Sequence, residues 1–229
     1  MKSKRYKKLP VNTKDLNAET FDKILSSIKE NCTTKFDESI DLSFKINNKQ
    51  KKNEINLRSI VNLPGGSGKN INVAVVCEDA KNQDAKDAKA DLVGGDELVE
   101  KIKNGELNFD KLICTPTMMI KLSKLGKVLG PKGLMPNPKL GTVTNDISKA
   151  VKDAKSGQVE VRNDKDGNIG LSIGKKSFDN EKLKKNYDAI VDALEKEKSN
   201  LTVKGDLIKQ VFITSSMGVS YKLKLDKSF

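Results

Sequence analysis

The sequence predicts a mixed α/β protein with two domains, in which a parallel α/β unit is inserted into a discontinuous α+β domain built from both chain ends. Short, almost wholly apolar runs alternate with helical patterns in the middle of the chain, as in a parallel sheet covered on both faces. The two ends instead carry strands of alternating polarity and amphipathic helices. Glycine-containing stretches at 65–69 and 156–157 separate the two patterns. The predicted domains are therefore 1–66 with 157–229, and an inserted, Rossmann-like 67–156.

The outer segments contain the amphipathic elements. Basic segment 1–8 has five cations and no acid, which predicts a tail that orders only on a partner. Apolar residues spaced three and four apart predict helices over 20–28 and from Asp179 through Leu194. Alternation predicts strands over 37–46, 57–63, 158–162, 170–173, 207–214 and 219–225. A turn at 163–167 lies between the third and the fourth of these strands.

The middle segment reads as strand and helix in alternation. Predicted strands cover 71–77, 92–93 and 110–114, and predicted helices cover 79–90, 96–104, 117–124 and 146–155. Asp96 is expected to cap the second of these helices and Gly105 to end it.

The charge balance favours a polyanionic partner. The 229 residues include 43 Lys and Arg against 31 Asp and Glu, a formal net charge of +12. Cations that neutralise phosphates release condensed counterions, so nucleic acid is the leading partner class, ahead of an anionic membrane surface. A Lys-rich surface without a specific partner gives the same composition. Residues 78–106 hold nine acids and five Lys, which makes that stretch a poor surface for RNA.

Composition argues against an enzyme and against a metal site. The chain has no His, which removes the usual general base and the commonest metal ligand. Cys32, Cys77 and Cys114 are widely separated and predict buried thiols in a reducing compartment. No segment has the roughly 18–20 apolar residues of a membrane helix, and no secretory signal follows the basic start. The expectation is a cytosolic protein without cofactor or metal.

The loop Gly126–Gly141 is rich in glycine, proline and lysine. Seven of its sixteen residues are Gly or Pro, so no regular helix or strand is expected, and no acid occurs from Lys111 to Asn145. Lysines on a glycine- and proline-rich loop suit contact with RNA phosphates. A hinge between the two domains is an equally compatible interpretation of the same loop. The Gly-x-x-x-x-Gly-Lys-Ser/Thr pattern of nucleotide-binding loops is absent. Gly65–Lys69 leads into a strand rather than a helix, which favours a linker over a dinucleotide site.

Two polar junctions are candidate RNA contacts. In the first, 33–39, Phe36 could stack on a base while Lys35 reaches a phosphate, but these residues alone favour a core position for Phe36. The second, 214–218, offers hydroxyls and a glycine backbone to RNA, or is simply a polar hairpin turn.

Together these segments resemble one family, the bacterial-type large-subunit ribosomal protein of the mobile stalk, ribosomal protein L-one. The resemblance lies in five stretches that run in order along nearly the whole chain: Lys35-Phe-Asp-Glu-Ser39, Asp91-Leu-Val-Gly-Gly95, Leu129-Gly-Pro-Lys-Gly-Leu-Met-Pro-Asn-Pro-Lys139 with Gly141-Thr-Val143, Arg162-Asn-Asp-Lys165 with Gly167, and Thr214-Ser-Ser-Met-Gly218.

The resemblance implies where RNA binds. Its first domain, formed by both chain ends, would bind 23S-type ribosomal RNA, and its second would be an inserted Rossmann-like unit. Carried over, the main RNA surface comprises Lys35, Phe36, Ser39 and Asp41, with Asp164, Lys165 and Gly167 beside them, and Ser216, Met217 and Gly218 at the centre. Lys127, Lys132 and Lys139 become secondary RNA contacts of the second domain.

The same resemblance implies a function. The protein would be a structural constituent of the large subunit, monomeric when free, that assists release of deacylated tRNA from the exit site and represses its own operon mRNA. Three positions depart from the family pattern. Ser216 replaces a frequent Thr, Gln210 replaces a small polar residue, and Gly170 stands where His is common, so the last two contacts are not carried over.

Overall fold

The structure, a computed structural model, describes residues 4–9, 21–47, 57–200 and 206–224, with only the backbone described for 199 and 200. It divides into two compact units, one from the described parts of 1–68 and 159–229, the other from 69–158. These divisions fall two residues beyond the boundaries that the sequence predicts. The chain has the mixed α/β composition expected of it.

The first unit contains three helices and six strands among its described residues: α1 (Lys4–Lys7), α2 (Phe21–Asn31), β1 (Ser39–Ile46), β2 (Arg58–Asn62), β6 (Gln158–Arg162), β7 (Asn168–Lys175), α8 (Asn180–Asn200), β8 (Ile208–Ser215) and β9 (Tyr221–Leu223). The second contains β3 (Val73–Val76), α3 (Asn82–Asp87), β4 (Leu92–Gly94), α4 (Asp96–Lys103), β5 (Lys111–Cys114), α5 (Pro116–Ser123), α6 (Gly126–Leu129) and α7 (Ile147–Lys155). The predicted elements are confirmed apart from their ends; Thr20 and Leu225 lie outside the described residues.

The four-stranded antiparallel sheet of the first unit brings both chain ends together. Its order is β7-β1-β8-β9, so β1, from the N-terminal part, lies between two strands from the C-terminal part. β1 places Ser39 opposite Lys175 of β7, and Ile40 opposite Ser215 of β8. β2 and β6 form a separate two-stranded sheet. The arrangement depends on pairing between segments more than a hundred residues apart.

One face of the four-stranded sheet is covered and the other is not. The alternating residues Ile40, Leu42, Phe44 and Ile46 of β1 are buried, and they share a hydrophobic core with the apolar sides of α2 and α8. Phe21 and Tyr187 stack at 4.6 Å between ring centroids and join these two helices. The residues between the buried ones therefore point away from the core, because side chains alternate along a strand.

The second unit is a three-stranded parallel sheet of order β4-β3-β5. All four residues of β3 are buried, because alternate side chains enter two different cores: Ala74 and Val76 pack with α4 and α5, while Val73 and Val75 pack with α3 and α7. Helices on both faces explain why the strand is apolar throughout. The parallel α/β organisation predicted for this segment is confirmed.

Three local predictions are wrong. Segment 4–9 is not a free tail: it forms a helical turn whose Leu9 is buried and whose Tyr6 packs on the core, since two apolar residues three apart share one side of a turn. Asp96 begins α4 rather than capping it, and Gly95 is the N-cap. Within Gly126–Gly141, residues 126–129 form a helical turn because Leu125 and Leu129, four residues apart, pack into the same core as the apolar side of α5.

No helix among the described residues is long and apolar enough to cross a membrane.

Candidate nucleic-acid interface

The uncovered side of the four-stranded sheet, hereafter the open sheet face, is lined by small and polar residues except for Phe212. Across it, Asp41 lies opposite Ser172 and Thr214, and Ser43 lies opposite Gly170 and Phe212. All are half-buried or exposed. Lys45 pairs with Asn168 and Gln210 at the far end of β1. Short side chains leave the backbone within reach of a ligand.

At the start of β1 the structure brings two predicted segments together. Lys35 and Phe36 lie in the connection from α2, and Ser39 is the first residue of β1. Ser216, Met217 and Gly218 form the turn between β8 and β9, and these six residues are hereafter the Phe36–Met217 patch. Phe36 is 54% exposed and Met217 is 49% exposed. Neither is a core residue. Among the described residues, the other exposed large hydrophobic side chains are Leu92 and Ile120.

Glu38 joins the two segments from below. Its side chain is fully buried. Oε1 accepts a hydrogen bond from Thr34 Oγ1 at 2.7 Å, and Oε2 accepts one from the backbone N of Met217 at 3.1 Å. Burial alone would raise the pKa of the carboxyl, but hydrogen bonds from Thr34, Ser215 and Met217 outweigh it and hold the pKa below its ordinary value. The group is therefore a buried carboxylate.

The turn itself is fixed by backbone and hydroxyl contacts. Ser216 N donates to Ser39 O at 3.0 Å, and Ser39 N donates to Ser216 Oγ at 3.1 Å, which extends the β1–β8 pairing by one residue. Gly218 is required by packing, since a Cβ there would lie 2.3 Å from Ser215 Oγ. The hydroxyl of Ser216 is thus partly engaged by the protein, while the Met217 side chain projects outward.

Two cations border the patch. The guanidinium of Arg5, in α1, donates to the carbonyl of Met217 and to Thr33 Oγ1. Lys175 Nζ donates to Ser39 Oγ at 2.9 Å. Sequence reasoning missed both. The Arg5 contact follows only from the packing of segment 4–9, which the sequence predicts to be free.

The turn between β6 and β7, residues 163–167 (hereafter the Asp164 turn), has a different chemistry. Asp164 Oδ1 accepts from the backbone N of Asp166 and of Asn168, and Oδ2 accepts from Asn168 Nδ2. These bonds lower the pKa of the carboxyl. Gly167 has φ of 76°, a conformation that glycine adopts without strain. Asp164 and Gly167 shape the turn, and Lys165 is exposed on it.

The two groups of predicted residues lie at opposite ends of the sheet rather than side by side. Ser39 pairs with Lys175 and Lys45 with Asn168, so the length of β1 from Ser39 to Lys45 separates the patch from the Asp164 turn. At about 3.3 Å per residue this is roughly 20 Å. An open pocket of about 590 Å³, lined by Ser43, Arg162, Lys165, Asn168 and Gly170 among others, connects the Asp164 turn with the open sheet face.

The open sheet face also contains residues that the sequence analysis did not nominate. They are Ser43, Ser172 and Phe212. The signal was available, because the polar positions of an alternating strand must share the face opposite its core. Their neighbours across strands could not be predicted without the pairing order.

The predicted secondary contacts belong to the second unit. Lys127 is on α6, Lys132 follows it, and Lys139 is in the 3-10 turn Pro138–Leu140; all three are exposed. Asn137 caps that turn by accepting from Lys139 N at 2.9 Å. Among the described residues no group of His, Cys, Asp and Glu is arranged to hold a metal ion.

The open sheet face offers hydroxyls and backbone groups to 2′-hydroxyls and phosphates, and the exposed ring of Phe36 offers a surface on which a base can stack. The model of the Ribosomal protein L1p/L10e family matches residues 28–219. The chain belongs to this family, which confirms the resemblance and makes it a structural ribosomal protein rather than an enzyme.

Its relatives are bacterial. The large ribosomal subunit protein uL1 of Pelagibacter ubique (strain HTCC1062) is 71% identical over 228 residues, covering 100% of both chains. The proteins of the same name from Mycoplasma capricolum and Kosmotoga olearia are 45% and 44% identical, covering 97% and 99% of this chain and 98% and 97% of their own lengths. The predicted place in the cytoplasmic ribosome follows from this membership.

Proposed function

We propose that the first unit binds 23S-type ribosomal RNA through the open sheet face, with the Phe36–Met217 patch at one end and the Asp164 turn at the other. The observation that carries the proposal is the exposure of Phe36 and Met217 on two segments that Glu38 ties together. An aromatic ring and a thioether exposed on adjoining, fixed backbone segments present an apolar contact area that a nucleic-acid partner can cover.

The geometry suits recognition of a folded RNA rather than a base sequence. The open sheet face offers hydroxyls, an amide and glycine backbone, which hydrogen-bond ribose 2′-hydroxyls and phosphates. A contact surface of roughly 20 Å spans several nucleotides of a structured RNA. Lys35, Lys45 and Lys165 border this surface and supply cations for phosphate.

The proposal extends to the particular site on the ribosome. We assign the chain to the mobile stalk of the large subunit, where it assists movement and release of deacylated tRNA from the exit site. It also represses its own operon mRNA, by binding an RNA element that resembles the ribosomal site. Support comes from family membership and from relatives that carry the name of a large-subunit protein.

The domain organisation belongs to the same proposal. The outer unit is the RNA-binding domain, and the inner unit is a Rossmann-like domain that adds contacts through Lys127, Lys132 and Lys139. The absence of acids from Lys111 to Asn145 supports this second contact. The free protein is a monomer, and it has no membrane partner.

A titration of the stalk fragment of large-subunit RNA tests the main contact. Phe36→Ala and Met217→Ala should each weaken binding by about 1–3 kcal/mol, the scale of lost base stacking. Leu92→Ala is the matched control, since it removes an exposed apolar side chain from the second unit. Unchanged affinity in both patch variants would refute the assigned surface.

A further inference from the structure

The geometry points to Glu38 as the positioning residue of the Phe36–Met217 patch: a buried carboxylate that fixes two distant chain segments in the conformation that RNA binds, without touching RNA. The inference rests on the proposed RNA-binding function. It adds a residue and a role to that function.

Glu38 holds both segments at once from the buried side of the patch. Its carboxylate receives Thr34 Oγ1 at 2.7 Å from the α2–β1 connection and Met217 N at 3.1 Å from the β8–β9 turn. Ser215, buried beneath the turn, also donates to it. Thr34 Oγ1 also lies 3.1 Å from the carbonyl oxygen of Phe36, so one hydroxyl connects the Glu38 carboxylate with the backbone of Phe36. Residues 34 and 217 are thereby held by one side chain.

The contacts are those of a support and not of an RNA ligand. Glu38 is 0% exposed, and a phosphate would be repelled by its charge. Its backbone is engaged as well, since Lys176 N donates to Glu38 O at 2.8 Å. The outward surface above it is formed by Phe36 and Met217. Glu38 is not in reach of RNA, so its hydrogen bonds favour binding through the positions of these two residues.

An ionised carboxylate suits this place better than an amide. A carboxylate presents two acceptor oxygens, whereas a Gln side chain presents one oxygen and a donor nitrogen. The hydroxyls of Thr34 and Ser215 can rotate to become acceptors, but the backbone N–H groups of Thr34 and Met217, which also donate to the carboxylate, cannot. Glu38→Gln replaces one acceptor oxygen by a donor nitrogen and removes the charge that strengthens these bonds, so it loosens the hold on the two segments.

The test is a double-mutant cycle between Glu38→Gln and Met217→Ala, with affinity for the stalk RNA fragment measured at several salt concentrations. Glu38→Gln should weaken binding roughly tenfold. The slope of log affinity against log salt should be unchanged, because no phosphate contact is lost. In the Glu38→Gln background the further loss from Met217→Ala should fall to about twofold, while the loss from Lys165→Ala keeps its full size.

Two further variants keep the test decisive. Thr34→Val removes a single donor at a half-buried position and should weaken binding about threefold in a folded protein, even if Glu38→Gln does not fold. Asp91→Asn is the matched control in the second unit, where Asp91 accepts a backbone hydrogen bond from Val73 at 2.8 Å; RNA affinity should not change.

The outcomes separate this inference from the proposed function. If the wild-type chain does not bind the RNA, the proposed function fails. If the wild type binds, the inference alone is overturned by either of two results: Thr34→Val and folded Glu38→Gln bind like wild type, or the losses from Met217→Ala and Glu38→Gln are additive.

Discussion

Ser39 and Ser216 are 177 residues apart in the chain and are joined by two hydrogen bonds: Ser216 N donates to the backbone O of Ser39, and Ser39 N donates to the side-chain Oγ of Ser216. Through this contact the turn between β8 and β9 is continuous with the start of β1. The patch is therefore part of the sheet and not a loose loop, which has consequences for its stability, its pH response and its RNA binding.

Gly218→Ala should destabilise the protein by about 1–3 kcal/mol, because the added Cβ would lie 2.3 Å from Ser215 Oγ and one of the two must move. The same change should weaken RNA binding, since Met217 is the preceding residue. Gly126→Ala is the control, as nothing lies within 4 Å of a Cβ at that position. Urea unfolding measures the difference. Equal stability of the two variants would show that Gly218 is not packed as described.

The charge of Glu38 should contribute to stability at neutral pH and not in acid. Its pKa is held below the ordinary value of 4.5 in the folded protein, so folding favours the ionised form. The contribution is complete above pH 4.5 and is lost as the pH falls through the folded pKa. Unfolding free energies between pH 3 and pH 7 should therefore fall less steeply in acid for Glu38→Gln than for wild type. Identical pH profiles would contradict the assigned ionisation.

Asp164 should act on RNA through the shape of its turn. Asp164→Ala removes the acceptor for the backbone N of Asp166 and of Asn168, so amide hydrogen exchange at these two positions should accelerate. Asp164→Asn keeps one oxygen and should have the smaller effect. If exchange does not change in Asp164→Ala, the carboxylate does not hold the turn.

The three thiols should be unreactive in the native protein. All are buried, and burial raises the pKa of Cys114 to about 12 and raises those of Cys32 and Cys77 as well. A thiol-disulfide reagent at pH 8 should therefore label fewer than one cysteine per chain before denaturant is added, and three afterwards. Rapid labelling of the native protein would show that at least one thiol is accessible.

Local sequence patterns predict most of the helices and strands. They do not predict the order of the strands in the sheet. The alternation of Ile40, Leu42, Phe44 and Ile46 predicts β1 and its buried face, since alternate side chains must share an environment. Nothing local indicates that β1 lies between β7 and β8, because each pairing joins segments more than a hundred residues apart.

The site was predictable in part for the same reason. Phe36 and Met217 were nominated from their motifs, and both are exposed on adjoining segments. The distance from them to the Asp164 turn depends on strand register, so the expectation that all these residues lie side by side was wrong. Arg5 was missed because its contact with Met217 requires the packing of Tyr6 and Leu9.

Hydrogen–deuterium exchange of the protein, alone and with the stalk RNA fragment, tests most directly whether the open sheet face binds RNA. Slower exchange is expected in 34–39, 163–170 and 214–218 when RNA is added, with little change in α2 and α8 on the covered side. Protection confined to the lysine-rich segment 124–139, with the three outer segments unchanged, would contradict the account.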